Sequence, residues 1–398
     1  MTDVEVQLGA LPVGTFYRHS SASGERVSFR YAEQWLVSPE RFAIDPELFL
    51  DPRTTTPARG GLFGALSDCA PDRWGRQLMQ RRERRAAEAA GRAVRTLSEL
   101  DYLLGVSDES RLGALRFRVR GSYVAADGGV PPLVRLGALL DAAGRIERDE
   151  DAEEDLALLV APGSSLGGAR PKASILDQRG RLSIAKFPRE GDEYSVERWE
   201  WVALKLAQAA GIQIPDVELV GVAGREVLLS RRFDRVGRER VHFASALTLL
   251  GLRDGDRASY PEIAEILQRD GSQPRADCEQ LFRRMVFNIV IANVDDHLRN
   301  HGFLRQRQGW TLSPAFDLNP VPADLRPRVL STNITLDDAT GSLTAARQSA
   351  TYFDLSSARA DAIIGEVHAA SARWRSVAKA SGASQRECQR MQSAFLTS

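Results

Sequence analysis

Between residues 161 and 235 short strand-like segments surround one helical segment, and from Ser245 onward helical periodicity dominates. This segregation constrains the fold most: it calls for an α+β chain in which a β-rich region and a helical region each form their own layer. In the β-rich part, Ala173-Ser-Ile-Leu176 and Arg181-Leu-Ser-Ile-Ala-Lys-Phe-Pro188 read as strands. Residues 196–211 carry apolar side chains at helical spacing, with Gly211 as the stop. Strands follow at 217–220 and 226–229, and helices are expected at 260–267, 278–292, 356–371 and 384–396. Near the N-terminus, 4–8, 14–17 and 26–31 read as antiparallel strands, with Trp35 and Leu36 anchoring the sheet. Residues 65–150 read as mostly helical, and the acidic run 147–155 as a linker or helix start.

The chemistry-bearing residues come late. Ile291-Ala-Asn-Val-Asp-Asp-His-Leu-Arg-Asn300 holds Asp295, four intervening residues and Asn300, and Ser313-Pro-Ala-Phe-Asp-Leu-Asn-Pro320 holds Asp317. Phosphoryl transfer uses this spacing for a proton-accepting Asp, a metal-binding Asn and a second metal-binding Asp downstream. Magnesium is a hard cation that takes oxygen ligands, which Asn300 and Asp317 supply. The plain alternative is that Asp295, Asp296 and Asn300 are turn or cap residues after the apolar run Met285-Val-Phe-Asn-Ile-Val-Ile-Ala292.

Upstream, Ala161-Pro-Gly-Ser-Ser-Leu-Gly-Gly-Ala-Arg-Pro-Lys172 is a glycine-rich loop that fits neither the Walker pattern nor Gly-x-Gly-x-x-Gly. Its glycines let backbone N–H groups approach phosphate oxygens, and a hairpin turn explains them equally. Lys186 falls on an apolar strand face, where a cation calls for an anionic partner, unless it lies at the strand end and reaches solvent. Glu200 shares a helix face with Leu204 and Ala207, which makes it the ion-pair candidate, with Glu197 one turn earlier as competitor. Ser230-Arg-Arg-Phe-Asp-Arg235 then reads as a hinge between two lobes whose backbone meets an adenine edge.

Taken together these residues resemble the HipA-type serine/threonine kinases, the toxins of bacterial toxin–antitoxin pairs. The matching features are Ser165-Leu-Gly-Gly-Ala-Arg-Pro-Lys172, Lys186, Glu200, Arg232-Phe-Asp-Arg235, Asp295-Asp-His-Leu-Arg-Asn300 and Phe316-Asp-Leu318. Asp68-Cys-Ala-Pro-Asp-Arg-Trp-Gly75, Asp101-Tyr-Leu-Leu-Gly-Val-Ser-Asp108 and Gly113-Ala-Leu-Arg-Phe117 extend the match through the N-terminal third. The resemblance implies a bilobed protein-kinase-like fold: an N-terminal β-rich and helical subdomain at 1–145, a β-rich small lobe at 146–235 and an all-α large lobe at 236–398. It implies ATP and Mg²⁺ as cofactors, with Asp295 and Lys186 catalytic and Asn300 and Asp317 on the metal. Ser165, Gly167, Gly168, Ala169, Arg170, Arg231, Phe233, Asp234 and His297 join Lys186, Asn300 and Asp317 in the implied ATP set. Ser165, or its neighbour Ser164, occupies the position of the family's autophosphorylated loop serine. The implied partners are a HipB-like helix-turn-helix antitoxin, operator DNA through that antitoxin only, and a protein substrate such as an aminoacyl-tRNA synthetase. Asp296 is a departure, because a small residue can follow the catalytic Asp in the family. A small-molecule kinase and a nucleotide-binding corepressor of an antitoxin–operator complex are the alternative functions.

Composition supports a globular reading. The 398 residues suffice for two or three domains at roughly 100–200 residues each. Lys plus Arg and Asp plus Glu are 53 each, a balance that argues against an intrinsic nucleic-acid-binding surface. The basic run Arg81-Arg-Glu-Arg-Arg85 reads as a solvated helix face, or as a contact for operator DNA or an acidic partner. Cys69, Cys278 and Cys388 form no metal or disulfide pattern, which suits a cytoplasmic protein. His297 and His301 are spaced for a metal but lack a third ligand, so His297 is expected to brace the loop and His301 to be exposed or polar. No leader segment and no apolar stretch of ~20 residues is evident, so no membrane association is expected.

Overall fold

The structure is a computed structural model and describes residues 3–21, 24–125, 129–160, 168–237 and 239–396. The chain divides into two units: residues 1–191 with 222–244, and residues 192–221 with 245–398.

Unit 1 opens with an antiparallel sheet of β1 (Asp3–Leu8), β2 (Leu11–Ser21), β3 (Gly24–Tyr31), β4 (Leu115–Val119) and β5 (Ser122–Tyr123), in the order β3-β2-β1-β4-β5. In β1, Val4 and Val6 point inward while Asp3 and Glu5 face out, the period-two alternation of a half-buried strand. Phe16, Phe29, Leu115 and Phe117 fill the same core, and Phe16 meets Phe117 edge-on at 5.8 Å. A β-carbon at Gly14 would lie 2.4 Å from the Arg30 carbonyl oxygen, so β2 and β3 approach this closely only with glycine there. The 65–150 region does carry the helices Arg73–Ala89, Glu99–Gly105 and Leu136–Glu147, but β4 breaks it and completes the sheet. Buried Arg111 ties the helix 99–105 to the sheet: its guanidinium donates to the carbonyls of Leu103 (2.8 Å) and Val106 (2.7 Å) and covers the Phe117 ring.

A second antiparallel set in unit 1 joins β6 (Lys172–Leu176), β7 (Leu182–Lys186) and, beyond β8 (Val217–Val222) in sequence, β9 (Arg225–Arg231). β8 carries the chain from unit 2 back into unit 1. The short hairpin β10 (Arg235–Val236) and β11 (Glu239–Arg240) follows, and β12 (Phe243–Ser245) leads out of the unit. The basic run is partly engaged: Arg81 Nη1 donates to Asp151 at 2.6 Å and Arg85 donates to the Asp151 carbonyl at 2.5 Å, so the acidic run at 147–155 holds its two ends.

Unit 2 is built on the helix Pro274–Val290, whose residues from Leu281 to Val290 are all buried, so it is a core helix. The helices Tyr260–Asp270 and Ser357–Ser371 belong to the same unit. The helix Val196–Ala209 starts with the Ser195 side chain capping Arg198 N–H, and its Trp199 joins Trp374 and Phe395, the last two stacked 4.7 Å apart. The all-helical expectation for 236–398 is corrected: β13 (Gly302–Gln306) and β14 (Gly309–Leu312) form a hairpin, with Phe303 and Leu312 opposed and buried. The apolar–polar alternation there is too short to stand out against long helical repeats. The helix expected at 384–396 also breaks after Arg390 into a short 3-10 turn. No described helix is long and apolar enough to cross a membrane, and all three cysteines are buried and unpaired.

Candidate active site

The candidate residues fall into two groups, one in each unit. In unit 2 the core helix ends at Val290, and Ala292 takes the left-handed position (φ 49°) that glycine usually fills at a helix end. The next residues separate the two adjacent aspartates. Asp295 is exposed, whereas Asp296 is 1% exposed. The Asp296 carboxylate accepts the Tyr260 hydroxyl at 2.6 Å, Ser331 N–H at 2.8 Å and Thr332 N–H at 3.2 Å. Burial nevertheless pushes its carboxyl up to about 7.

Asn300 closes a 3-10 turn whose N–H donates to the His297 carbonyl at 2.7 Å. Its Nδ2 donates to the Asp295 carbonyl at 3.0 Å, while its Oδ1 is buried and meets no hydrogen-bond donor among the described residues. A carboxamide tethered by its nitrogen directs its oxygen the other way, which is what a metal ligand requires. Asp317 also adopts a left-handed conformation (φ 58°), uncommon for a residue with a β-carbon and concentrated at functional sites. Its Oδ1 accepts Asn319 Nδ2 at 3.2 Å. Among the described residues no cluster of three His, Cys, Asp or Glu side chains is placed to hold a metal. One carboxylate and one carboxamide are nonetheless enough for magnesium when phosphate and water complete its shell.

The two histidines differ from expectation in one respect. His297 is half-buried, with its Nδ1 unpartnered among the described residues. His301 is buried, not exposed: its ring packs edge-on to Tyr260, and Nε2 sits 3.0 Å from the Asp296 carbonyl oxygen. Burial holds this ring neutral, pulling it down to about 3. The following strand β13 draws it inward, a placement no local pattern shows. Glu197 and Glu200 are both buried, so burial does not separate the two.

In unit 1, Lys186 ends β7 half-buried, opposite Lys172 on β6 and Leu228 on β9. Lys172 is the more deeply buried lysine, 2% exposed, and its ammonium binds Asp72 at 2.7 Å. Asp72 also caps the helix Arg73–Ala89 through Gly75 N–H, and Trp74 Nε1 donates to the Lys172 carbonyl at 3.0 Å. Gly168 has φ 103°, open to glycine alone, and the Ala169 carbonyl accepts the Arg189 guanidinium, while Arg170 is half-buried. Ser164, Ser165 and Gly167 lie outside the described residues.

Arg231 closes β9 opposite Ser183, and Arg232 N–H continues the ladder to the Leu182 carbonyl at 3.0 Å. The Phe233 ring lies 6.3 Å from Phe243. Asp234 is fully buried, and its carboxylate takes Arg232 Nε and Nη2 (2.6 and 2.5 Å), Arg235 Nη1 (2.6 Å) and Gly113 N–H (2.7 Å). Burial pushes this carboxyl up, but the two guanidiniums outweigh it and hold it at about 2. Burial pulls Arg235 down to about 10, which still leaves it charged at neutral pH, so the ion pair stands.

Sequence reasoning missed Tyr260, Asn288, Asn293 and Asn319. Asn288 donates to the Tyr260 hydroxyl (2.8 Å) and accepts from Asn293 (3.1 Å), and Asn319 N–H donates to Asn293 Oδ1 (3.2 Å). One signal was present: Asn288 is the lone polar residue in the apolar run 285–292, where a buried amide needs a partner.

Comparison with known proteins adds a family. A model of the HipA-like C-terminal domain matches residues 164–374, and a model of the HipA N-terminal domain matches residues 4–118. The Sinorhizobium fredii protein named "Putative kinase Y4mE" is 25% identical over 334 residues, 76% of this chain and 74% of the relative. Another from the same organism, "Putative kinase Y4dM", is 30% identical over 152 residues, 34% of this chain and 36% of the relative. Among solved structures, a chain of the Shewanella oneidensis MR-1 complex of HipA, HipB and operator DNA matches with a TM-score of 0.71 at 16% identity. That match covers 98% of this chain and 94% of the other, and it is a likeness of fold.

Proposed function

The chain belongs to the HipA family, and on that premise we propose that it is an ATP-dependent serine/threonine protein kinase of the toxin type. The observation that carries this reading is the division of labour within residues 295–300. An exposed carboxylate, Asp295, is hydrogen-bonded through its carbonyl to Asn300, whose carboxamide oxygen is buried and without a donor among the described residues.

In this reading Asn300 Oδ1 and Asp317 hold Mg²⁺, which when bound neutralises phosphate charge. Asp295 orients the substrate hydroxyl and accepts its proton as the hydroxyl oxygen bonds to the γ-phosphorus. The bond from that phosphorus to the β-phosphate oxygen breaks, and ADP leaves. Lys186 pairs with the phosphates, and the main chain at Arg231 and Phe233 reads the adenine edge. We assign Asp234, one of the residues in the implied ATP set, to holding that main chain rather than to touching the nucleotide, because its oxygens are committed to Arg232, Arg235 and Gly113. Ser165, or Ser164, is the proposed autophosphorylation position, where a phosphate adds nearly two negative charges and repels the triphosphate. The functional division we propose is 1–145, 146–235 and 236–398.

The neighbour of like fold was solved with HipB and operator DNA. That supports a helix-turn-helix antitoxin as partner, with DNA reached through it. A translation component such as an aminoacyl-tRNA synthetase is the proposed protein substrate, and phosphoproteomics after induced expression tests it. The kinase reading itself is tested by incubating the full chain with γ-labelled ATP and Mg²⁺. The chain labels itself, and Asp295→Ala lowers the rate by about 10²- to 10⁴-fold. Labelling that persists at the parent rate in Asp295→Ala removes Asp295 from the catalytic role.

A further inference from the structure

Five polar residues of unit 2, four of them buried, form one hydrogen-bonded chain that runs to Asp317. Asn319 donates its side-chain Nδ2 to Asp317 Oδ1 and its backbone N–H to Asn293 Oδ1. Asn293 donates to Asn288, Asn288 to the Tyr260 hydroxyl, and that hydroxyl to Asp296 Oδ2, at 3.1, 2.8 and 2.6 Å. Asn293, Asn288 and Tyr260 each give one bond and take one, whereas Asn319 gives both of its bonds, so reversing the Asn288 or Asn293 amide would break two. Tyr260, Asn288, Asn293 and Asp296 are all buried. A buried polar chain contributes no more stability than apolar residues of the same volume, and its directional bonds specify geometry instead.

Its ends sit where geometry matters. Asp296 is the residue after Asp295, and Asp317 is the candidate metal ligand. The chain also touches both strained turns: Asn293 follows Ala292 (φ 49°), and Asn319 lies two residues beyond Asp317 (φ 58°). Strained conformations persist only where surrounding contacts over-determine them. The Asn319-to-Asn293 bond joins the two turns, and the Val321 N–H to Ala292 carbonyl bond (3.2 Å) joins them a second time. On its other side Asp296 is fixed by Ser331 and Thr332, so the Tyr260 end of the chain is anchored.

We propose that Tyr260, Asn288, Asn293, Asn319 and Asp296 form a positioning relay that sets the catalytic Asp295 against the metal-binding Asp317. None of its members touches the reacting atoms. The departure at Asp296, acidic after the catalytic aspartate, thereby has a purpose: its carboxyl is the acceptor on which the run of donors from Asn293 through Asn288 and Tyr260 ends. This inference rests on the kinase reading above.

The test uses the full chain and two readouts. One is the self-labelling rate with γ-labelled ATP. The other is nucleotide binding, followed as the shift in melting temperature with ATP alone and with ATP plus Mg²⁺. Tyr260→Phe removes the central hydroxyl and keeps the ring. Its labelling rate falls on the order of 10- to 100-fold, the Mg²⁺ needed for half-maximal labelling rises, and the extra thermal shift from Mg²⁺ shrinks while the shift from ATP alone is kept. A purely structural tyrosine would lower the melting temperature without moving the Mg²⁺ increment. Should Tyr260→Phe not melt cooperatively, Asn319→Ala cuts the relay at its half-buried end and is expected to show the same Mg²⁺ effect. Parent-like rate and Mg²⁺ increment in a folded variant overturn the relay. A parent chain that neither labels nor gains stability from Mg²⁺–ATP overturns the kinase reading instead.

Discussion

The interior around Asp234 and the interior around Asn288 solve the same problem with opposite chemistry. At Asp234 one carboxylate is gripped by two guanidiniums and an amide, and nearby Arg116 and Arg240 both bind Asp108. At Asn288 three uncharged side chains, those of Asn293, Asn288 and Tyr260, pass hydrogen bonds along a line that ends on the Asp296 carboxyl. Coulombic attraction is strong and tolerant of angle, so the ionic cluster can hold chain segments far apart in sequence: Gly113 and Asp234 are joined directly. Neutral amide bonds are weaker and angle-dependent, so the second region holds a geometry more sharply than it holds a fold. The difference teaches where each unit stores its stability and where it stores its precision.

The largest stability effect that sharpens this contrast is Asp234→Ala. It leaves the buried Arg232 guanidinium and the half-buried Arg235 guanidinium without their carboxylate, and denaturant titration is expected to show a loss of about 3–5 kcal/mol. A loss near 1 kcal/mol would put the cluster on a par with the neutral relay and break the comparison. Acid comes next. The Asp234 carboxyl sits at about 2 in the folded chain against its ordinary 3.8, so folding favours its ionised form. That contribution is complete above roughly pH 4 and is lost as pH falls through the folded value, for a total of about 2 kcal/mol. Stability curves between pH 5 and 2 measure it, and Asp234→Asn should flatten that part of the slope.

In the neutral region, Tyr260→Phe leaves Asn288 Nδ2 and Asp296 Oδ2 each one partner short. The expected cost is about 1–3 kcal/mol by the same titration, smaller than for Asp234→Ala even though both sites are buried. The smallest effect belongs to the exposed pair of Arg299 and Asp254, joined at 2.8 and 2.9 Å beside the 3-10 turn. Asp254→Ala should change stability by less than about 1 kcal/mol. A larger loss would mean that the turn carrying Asn300 depends on a surface charge.

Much of this site was legible beforehand because its signals are local. The Asp-x-x-x-x-Asn spacing, the Phe-Asp-Leu step and the capped helix beginning at Val196 are set by residues within a turn or two of one another. Asp72 was legible only as part of a motif. Its partner Lys172 lies 100 residues away, and no periodicity connects them. His301, expected to be exposed or polar, is polar but buried, and its burial was illegible for the same reason, since the strand that buries it and the Thr332 beside it come later in the chain. The β13–β14 hairpin was hidden by its brevity among helices.

Residue types and their spacing by themselves determined the α+β class, the family and the set of groups proposed to meet phosphate, metal and a reacting hydroxyl. Only the tertiary structure decided that, of two adjacent aspartates, Asp295 faces solvent and Asp296 is buried. Neighbours in a loop share the same local sequence, and what separates them is which one meets Tyr260, Ser331 and Thr332 from distant parts of the chain.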